Sequence, residues 1–184
     1  KTYSRQQRGC VWSLKNEIYS KDSKYEGRHA QSTHGRNTRR NFTRTMGNQA
    51  SNINVTVEGN IGAGKSTFLK VLKQHGFNIL QEPLSEWIVQ NPDGTTTNVL
   101  KEFYKYPEKN AYVFQSFCLR SRCKIMKTMK PDQTYLLERG LHADGIFAET
   151  QYEGGRIRPL EYSVYLWELE EAKKDTPPIH KRIY

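Results

Sequence analysis

The chain has 184 residues and a formal net charge of +10, with 29 Lys and Arg against 19 Asp and Glu. That length suits one domain, and no apolar run is long enough to span a membrane. Three cysteines, Cys10, Cys118 and Cys123, share no C-x-x-C spacing; an odd count without a framework argues against a disulfide scaffold and for a reducing compartment, the cytoplasm or alternatively the mitochondrion.

The charge is unevenly spread. Residues 1–50 carry 11 Lys/Arg against 3 Asp/Glu, a net +8, whereas residues 51–184 carry 18 against 16, a net +2. Only 12 of the first 50 residues are apolar, too few to offset the entropy of ordering them. Residues 1–50 are therefore expected to be a basic, mostly disordered leader. Four readings fit it: an extension foreign to the native product, since the chain opens on Lys1 and Met46 stands just before the next segment; an Arg-rich, acid-poor mitochondrial transit peptide; a nucleic-acid-binding arm; or a solvated tail. Its basic residues do not interleave with aromatics, which favours the first and last and makes nucleic acid an unexpected partner.

Residues 53–58, Ile-Asn-Val-Thr-Val-Glu, alternate the β-branched Val55 and Val57 as a strand does. Gly59-Asn60-Ile61-Gly62-Ala63-Gly64-Lys65-Ser66 then reads G-x-x-x-x-G-K-[ST], a P-loop, followed by Thr67. Its glycines let backbone N–H groups turn inward toward phosphate oxygens. Lys65 is placed to reach the β/γ-phosphates and Ser66 to hold Mg²⁺.

A helix is predicted over 65–75, ended by Gly76, and a second strand over 78–81 that runs into Glu82-Pro83. Residues 84–90 read as a helical turn, Asn91-Pro92-Asp93-Gly94 as a loop, and 97–106 as a helix. A long helix follows from about Glu108 to Met129, stopped by Pro131. Residues 134–137 form a third strand ending at Glu138-Arg139. Helices are predicted over 143–151 and 159–173, separated by Gly154-Gly155, and residues 181–184 begin another strand after Pro177-Pro178. Strands alternating with helices imply an α/β fold, a P-loop kinase-type parallel sheet flanked by helices. Because an open parallel sheet ordinarily continues, the sheet is expected to be incomplete at the C-terminus, with residues 51–184 forming the front portion of a P-loop domain. The glycosylation patterns at Asn41 and Asn54 are read as chance, the second lying in a buried strand.

Ligands of open α/β sheets sit beyond the carboxyl ends of the strands. The first predicted strand ends in the P-loop, the second in Glu82, the third in Glu138-Arg139. Each charge alone is equally well explained as a solvated or capping residue. Their convergence on a P-loop points to phosphoryl transfer, with one carboxylate accepting a hydroxyl proton, one in the Mg²⁺ shell, and the arginine on the acceptor oxygen or moving phosphate. On the long helix Gln115, Cys118 and Arg122 follow i, i+3, i+7 spacing and share a face; a Gln amide offers a donor and an acceptor together, which suits a nucleobase edge. The spacing fits a solvated polar stripe equally well. Phe114 and Phe117 are expected on a neighbouring, more apolar face.

Glu58-Gly59-Asn60-Ile61-Gly62-Ala63-Gly64-Lys65-Ser66-Thr67, Glu82-Pro83-Leu84-Ser85-Glu86-Trp87, Phe114-Gln115-Ser116-Phe117 and Leu137-Glu138-Arg139 resemble, in order, the motifs of the deoxynucleoside kinase family. The resemblance covers about residues 53–184. It implies an ATP- and Mg²⁺-dependent kinase acting on the 5′-hydroxyl of a deoxynucleoside, of deoxycytidine or purine preference, and a homodimer formed through the long helices. It also implies roles: Glu82 as general base, Arg139 near the 5′-oxygen, Glu138 linked to Mg²⁺, Trp87 as an aromatic wall, Tyr104 at the 3′-hydroxyl and Gln115 as base reader, with Phe147 or a neighbour packed nearby. Arg122 and Asp144 match a pair found in the deoxycytidine and deoxyguanosine kinases. The chain departs from the family pattern at Gly140, where a serine is usual, and at Gly145, where an arginine is usual. The family's arginine-rich lid lies beyond Tyr184, so the chain as it stands is expected to be poorly active. Two other readings are a nucleoside-monophosphate kinase, and a non-catalytic module binding nucleotides or nucleic acid.

Overall fold

The structure, a computed structural model, describes residues 52–184. The expectations for the leader, and for Cys10 and Asn41, lie outside the described residues.

In chain order the elements are β1 (Val55–Val57), α1 (Lys65–Gln74), β2 (Asn78–Leu80), a 3-10 turn (Leu84–Glu86), β3 (Ile88–Gln90), β4 (Thr96–Asn98), α2 (Val99–Lys105), α3 (Pro107–Met126), β5 (Tyr135–Glu138), α4 (Leu141–Glu153), α5 (Pro159–Asp175) and β6 (Lys181–Ile183). Four strands form one sheet in the order β2-β5-β1-β6, and every neighbouring pair is parallel. The predicted α/β architecture is the one observed.

Burial follows from that topology. A parallel sheet is covered on both faces, and its two central strands, β1 and β5, are buried along their whole length, whereas the edge strands β2 and β6 are partly exposed. Leu69 and Leu72 of α1 are fully buried. A larger cluster gathers Leu119 and Met126 of α3, Leu141 and Ala148 of α4, Tyr165 and Leu169 of α5, and Tyr135 and Leu137 of β5. Asn54 pins the strand starts together. Its side chain accepts from the Tyr135 amide at 3.3 Å and donates to Pro178 O at 3.2 Å, while its own amide donates to His180 Nδ1 at 3.0 Å. An asparagine committed in this way is no glycan acceptor.

Three sequence expectations are corrected. Residues 84–90 are not one helical turn: after the 3-10 turn, β3 pairs antiparallel with β4 as a hairpin. The Asn91–Gly94 loop signal marks its tip, where Asp93 Oδ1 accepts from the Thr95 amide at 2.9 Å and its hydroxyl at 2.6 Å. The helix predicted over 97–106 begins only at Val99, because Thr96–Asn98 are hairpin strand and Asn98 serves as its N-cap, accepting from the Lys101 amide at 2.9 Å. The long helix ends at Met126, not Met129, and Met129 is held in the following turn through Met126 O at 3.1 Å.

Candidate active site

Sheet register brings the site together. Leu80 pairs with Leu137, so the chain beyond β2 reaches Glu82 level with Arg139 beyond β5. Val57 pairs with Glu138, which puts the P-loop beside both. Gly64 adopts φ 84 as the N-cap of α1, a left-handed conformation costly for a residue with a Cβ, and it aims the first turn of α1 at the loop's interior. Lys65 is buried and donates to Asn60 O at 2.5 Å. Burial, and then the nearby Arg139 charge, lower its pKa below the usual lysine value. Ser66 Oγ donates to Glu138 Oε1 at 2.5 Å.

Arg139 is the hinge of the arrangement. Its φ of 62 lies in the left-handed region, a conformation that costs a non-glycine residue on the order of 1 kcal/mol or more and gathers at functional sites. It swings the guanidinium so that Nη1 donates to Glu82 Oε2 at 3.1 Å and Nη2 to Gly59 O at 3.4 Å. The Phe147 ring lies 5.0 Å from the guanidinium carbon. Nε of Arg139 is buried without an acceptor among the described residues.

Glu82 is gripped from its other side by Arg122, whose Nη2 donates to Oε1 at 2.8 Å. Arg122 also holds Asp144 through Nε at 2.6 Å and Nη2 at 3.1 Å, and Glu138 O through Nη1 at 2.9 Å. Burial opposes this charge, but the Asp144 and Glu82 carboxylates outweigh it and keep the Arg122 pKa above its ordinary value. Arg122 is thus a buried strut under the site, and Glu82, Asp144 and Arg139 carry the network to its surface.

A cavity of about 520 Å³ opens above that surface, within the range of small-molecule sites. Of the residues singled out from sequence, Ile61, Glu82, Trp87, Tyr104, Gln115, Cys118, Arg139, Asp144 and Phe147 line it. Arg122 does not, although it shares a helix face with Gln115 and Cys118. Phe114, expected on a different face, lines the cavity too; it meets Trp87 edge-on at 5.5 Å and stacks on Phe103 at 4.5 Å. Trp87 is anchored by donation from Nε1 to Ser121 Oγ at 3.2 Å, and the hairpin closes over it when the Val99 amide donates to Trp87 O at 3.0 Å. Tyr104 stands at the rim, well exposed. Burial raises the Cys118 thiol above the ordinary range, Asp144 adding to it.

Sequence reasoning missed Leu84, Leu100, Phe103, Pro107, Thr150, Gln151 and Arg156, which also line the cavity. Leu100, Phe103, Tyr104 and Pro107 follow near-helical spacing, a signal that marks α2 as a wall. Nothing local marks Gln151 or Arg156.

The departure at Gly140 has a steric cause. A Cβ there would lie 2.8 Å from Thr56 Cγ2 and 3.6 Å from Glu58 Oε1. The Thr56 methyl of β1 fills the space that a serine at 140 needs.

A parallel sheet ending in a P-loop, two carboxylates and an arginine beside an open cavity of small-molecule size defines a P-loop kinase-type protein. Residues 55–184 match the family described as deoxynucleoside kinase, and the chain belongs to that family. The probable deoxycytidine kinase of fowlpox virus is 37% identical over 114 residues, covering 60% of this chain and 46% of that protein. The deoxycytidine kinase of Rattus norvegicus is 32% identical over 134 residues (60% and 51%). The mitochondrial deoxyguanosine kinase of Xenopus laevis is 33% identical over 130 residues (60% and 49%). The chain spans about half the length of these curated relatives.

Proposed function

We propose that this chain carries the acceptor site and phosphate cradle of an ATP-dependent deoxynucleoside kinase. The supporting observation is that Glu82 lines the cavity and is joined through Arg139 to the P-loop carbonyl of Gly59. A sugar hydroxyl at Glu82 would face the loop that holds the moving phosphate.

In this reading Trp87, Phe114 and Phe147 wall the base, Gln115 reads its edge, and Cys118 and Asp144 line the floor. Tyr104 closes on the 3′-hydroxyl from the rim. Glu82 takes the 5′-hydroxyl proton as the oxygen attacks the γ-phosphorus. The bond to the β-phosphate oxygen breaks and ADP leaves. The Arg139 donors stabilise the charge that develops on the transferring oxygens. Backbone N–H groups from Asn60 to Thr67 and the Lys65 ammonium hold the β/γ-phosphates. Magnesium fits the remaining pair, because the Ser66 hydroxyl and the Glu138 carboxylate are hard oxygen donors already in contact; when bound it neutralises charge shared by the β- and γ-phosphates.

The test measures thermal stabilisation and turnover of the chain with ATP, Mg²⁺ and each deoxynucleoside. A deoxynucleoside is expected to raise Tm, and Glu82→Gln to lower kcat while leaving that rise intact. An unchanged kcat in Glu82→Gln would transfer the base role elsewhere. Preference for a nucleoside monophosphate as acceptor would move the assignment to a different kinase class.

The same reading extends to assembly and location. α5 exposes Leu160, Val164 and Trp167 (76%, 39% and 66%) at i, i+4, i+7, an apolar stripe suited to a homodimer. Cys118 and Cys123 are free thiols, in keeping with a cytoplasmic or mitochondrial setting. No helix among the described residues is long and apolar enough to cross a membrane.

A further inference from the structure

The cavity has two polar ends, and phosphoryl transfer uses only one. Arg122 and Asp144 tie α3 to α4 at the Glu82 end. α5 runs alongside α3 in the same direction, Arg120 meeting Glu168 and Lys127 meeting Asp175. It runs back along α4, with Gly145 against Leu169 and Tyr152 stacked on Tyr162. So α3 and α4 are antiparallel. Seven residues from the tie on each helix, a rise of roughly 10 Å, Gln115 and Gln151 both line the cavity, and Arg156 lines it with them.

Arg156 is fixed in place by the end of α4. Gly155 takes φ 72, which a residue with a Cβ adopts only under strain. The chain turns back there, and the Arg156 and Ile157 amides donate to Gln151 O at 2.9 and 3.2 Å. The Arg156 side chain repeats the contact, Nε donating to Gln151 Oε1 at 2.6 Å. Its guanidinium packs against Gly154, where a Cβ would stand 3.0 Å from Nη2 and 3.1 Å from Cζ. Two glycines and a glutamine thus orient this half-buried arginine, and no described carboxylate forms an ion pair with it. Its Nη groups remain available to whatever fills the cavity.

We propose that Arg156 determines purine specificity, selecting a purine with a carbonyl at C6, guanine or hypoxanthine, over adenine. The inference rests on the nucleoside reading of the cavity. A guanidinium presents donors only. Guanine O6 and N7 are two adjacent acceptors that match its fork, the commonest specific contact between arginine and a base. The adenine 6-amino group stands beside each of the ring acceptors N1 and N7 and sets donor against donor. Gln115 carries a donor and an acceptor and accommodates any of these bases, so discrimination falls to the residue that cannot invert.

The test is titration calorimetry of the chain with deoxyguanosine, deoxyinosine, deoxyadenosine and deoxycytidine. In the unaltered chain, deoxyguanosine and deoxyinosine are expected to bind on the order of tenfold or more tighter than deoxyadenosine. Arg156→Met is expected to remove that gap by weakening the oxopurines alone. Arg156→Gln serves if the methionine variant does not fold. Gly154→Ala is expected to narrow the gap by displacing the guanidinium. Equal or tighter binding of deoxyadenosine to the unaltered chain overturns the proposal, as does an oxopurine preference over deoxyadenosine that survives in Arg156→Met. If no deoxynucleoside binds, the nucleoside reading fails first and this inference falls with it. If all four bind alike, only this inference fails.

Discussion

Arg122 holds Asp144 through two hydrogen bonds, 2.6 and 3.1 Å long, and both side chains are almost completely buried. The same guanidinium reaches Glu82, so one buried cation sets the position of two carboxylates that border the cavity. Removing one partner of such a pair strands a charge in a low-dielectric setting. Arg122→Met is expected to destabilise the fold by about 3–5 kcal/mol in urea unfolding. Arg122→Met with Asp144→Leu is expected to recover a large part of that loss. A double variant as unstable as the sum of the singles would show that the pair is not coupled.

Gly140 is expected to resist substitution. Its Cβ position lies 2.8 Å from Thr56 Cγ2, and forcing an extra methyl into packed space costs about 1–3 kcal/mol. Gly140→Ala is therefore expected to lower Tm, and Thr56→Ser, which removes the opposing methyl, to restore most of it. Failure of the second change to help would place the strain elsewhere.

Tyr165 is fully buried, and its hydroxyl has no hydrogen-bond partner among the described residues. Burying an unpaired hydroxyl costs about 1–3 kcal/mol. Tyr165→Phe keeps the ring and deletes the orphan oxygen. It is expected to leave stability unchanged or raise it by up to about 1 kcal/mol, whereas a clear loss in thermal melting would reveal a partner for the hydroxyl in solution.

Cys118 and Cys123 are expected to be slow toward iodoacetamide. Burial raises both thiols above their ordinary pKa, and the thiolate is the reactive form. A folded-state pKa above the unfolded value also means that stability falls as pH rises past the ordinary thiol range, near 8.5. Peptide mapping at pH 8 should find both unlabelled in the folded chain and labelled after denaturation. Rapid labelling of Cys118 in the folded chain would contradict its burial at the cavity floor.

The α/β class and the end of the sheet that carries the P-loop were legible from residue order. A P-loop is a contiguous device: Gly59 through Ser66 carry their own backbone geometry and need no distant residue to be recognised. The same locality exposed Glu82 and Glu138-Arg139, because each stands at or just beyond the carboxyl end of a short strand, where open α/β sheets hold their ligands. The β3–β4 hairpin was not legible. Ile88–Gln90 and Thr96–Asn98 are three-residue strands, too short for a period of two to stand out from a helical turn.

What residue order determined by itself was therefore the set of chemically equipped segments and their sequence along the chain, since turn glycines, strand alternation and helix spacing are properties of neighbouring residues. Only the tertiary structure decided which groups meet. Sheet register set Glu82 beside Arg139, helix packing turned Arg122 away from the cavity while leaving Gln115 on its wall, and the turn after α4 folded Arg156 into it. The first two outcomes depend on contacts between residues tens of positions apart, where packing and burial outweigh any local preference; the third rests on a local turn whose placement at the cavity follows from where α4 packs.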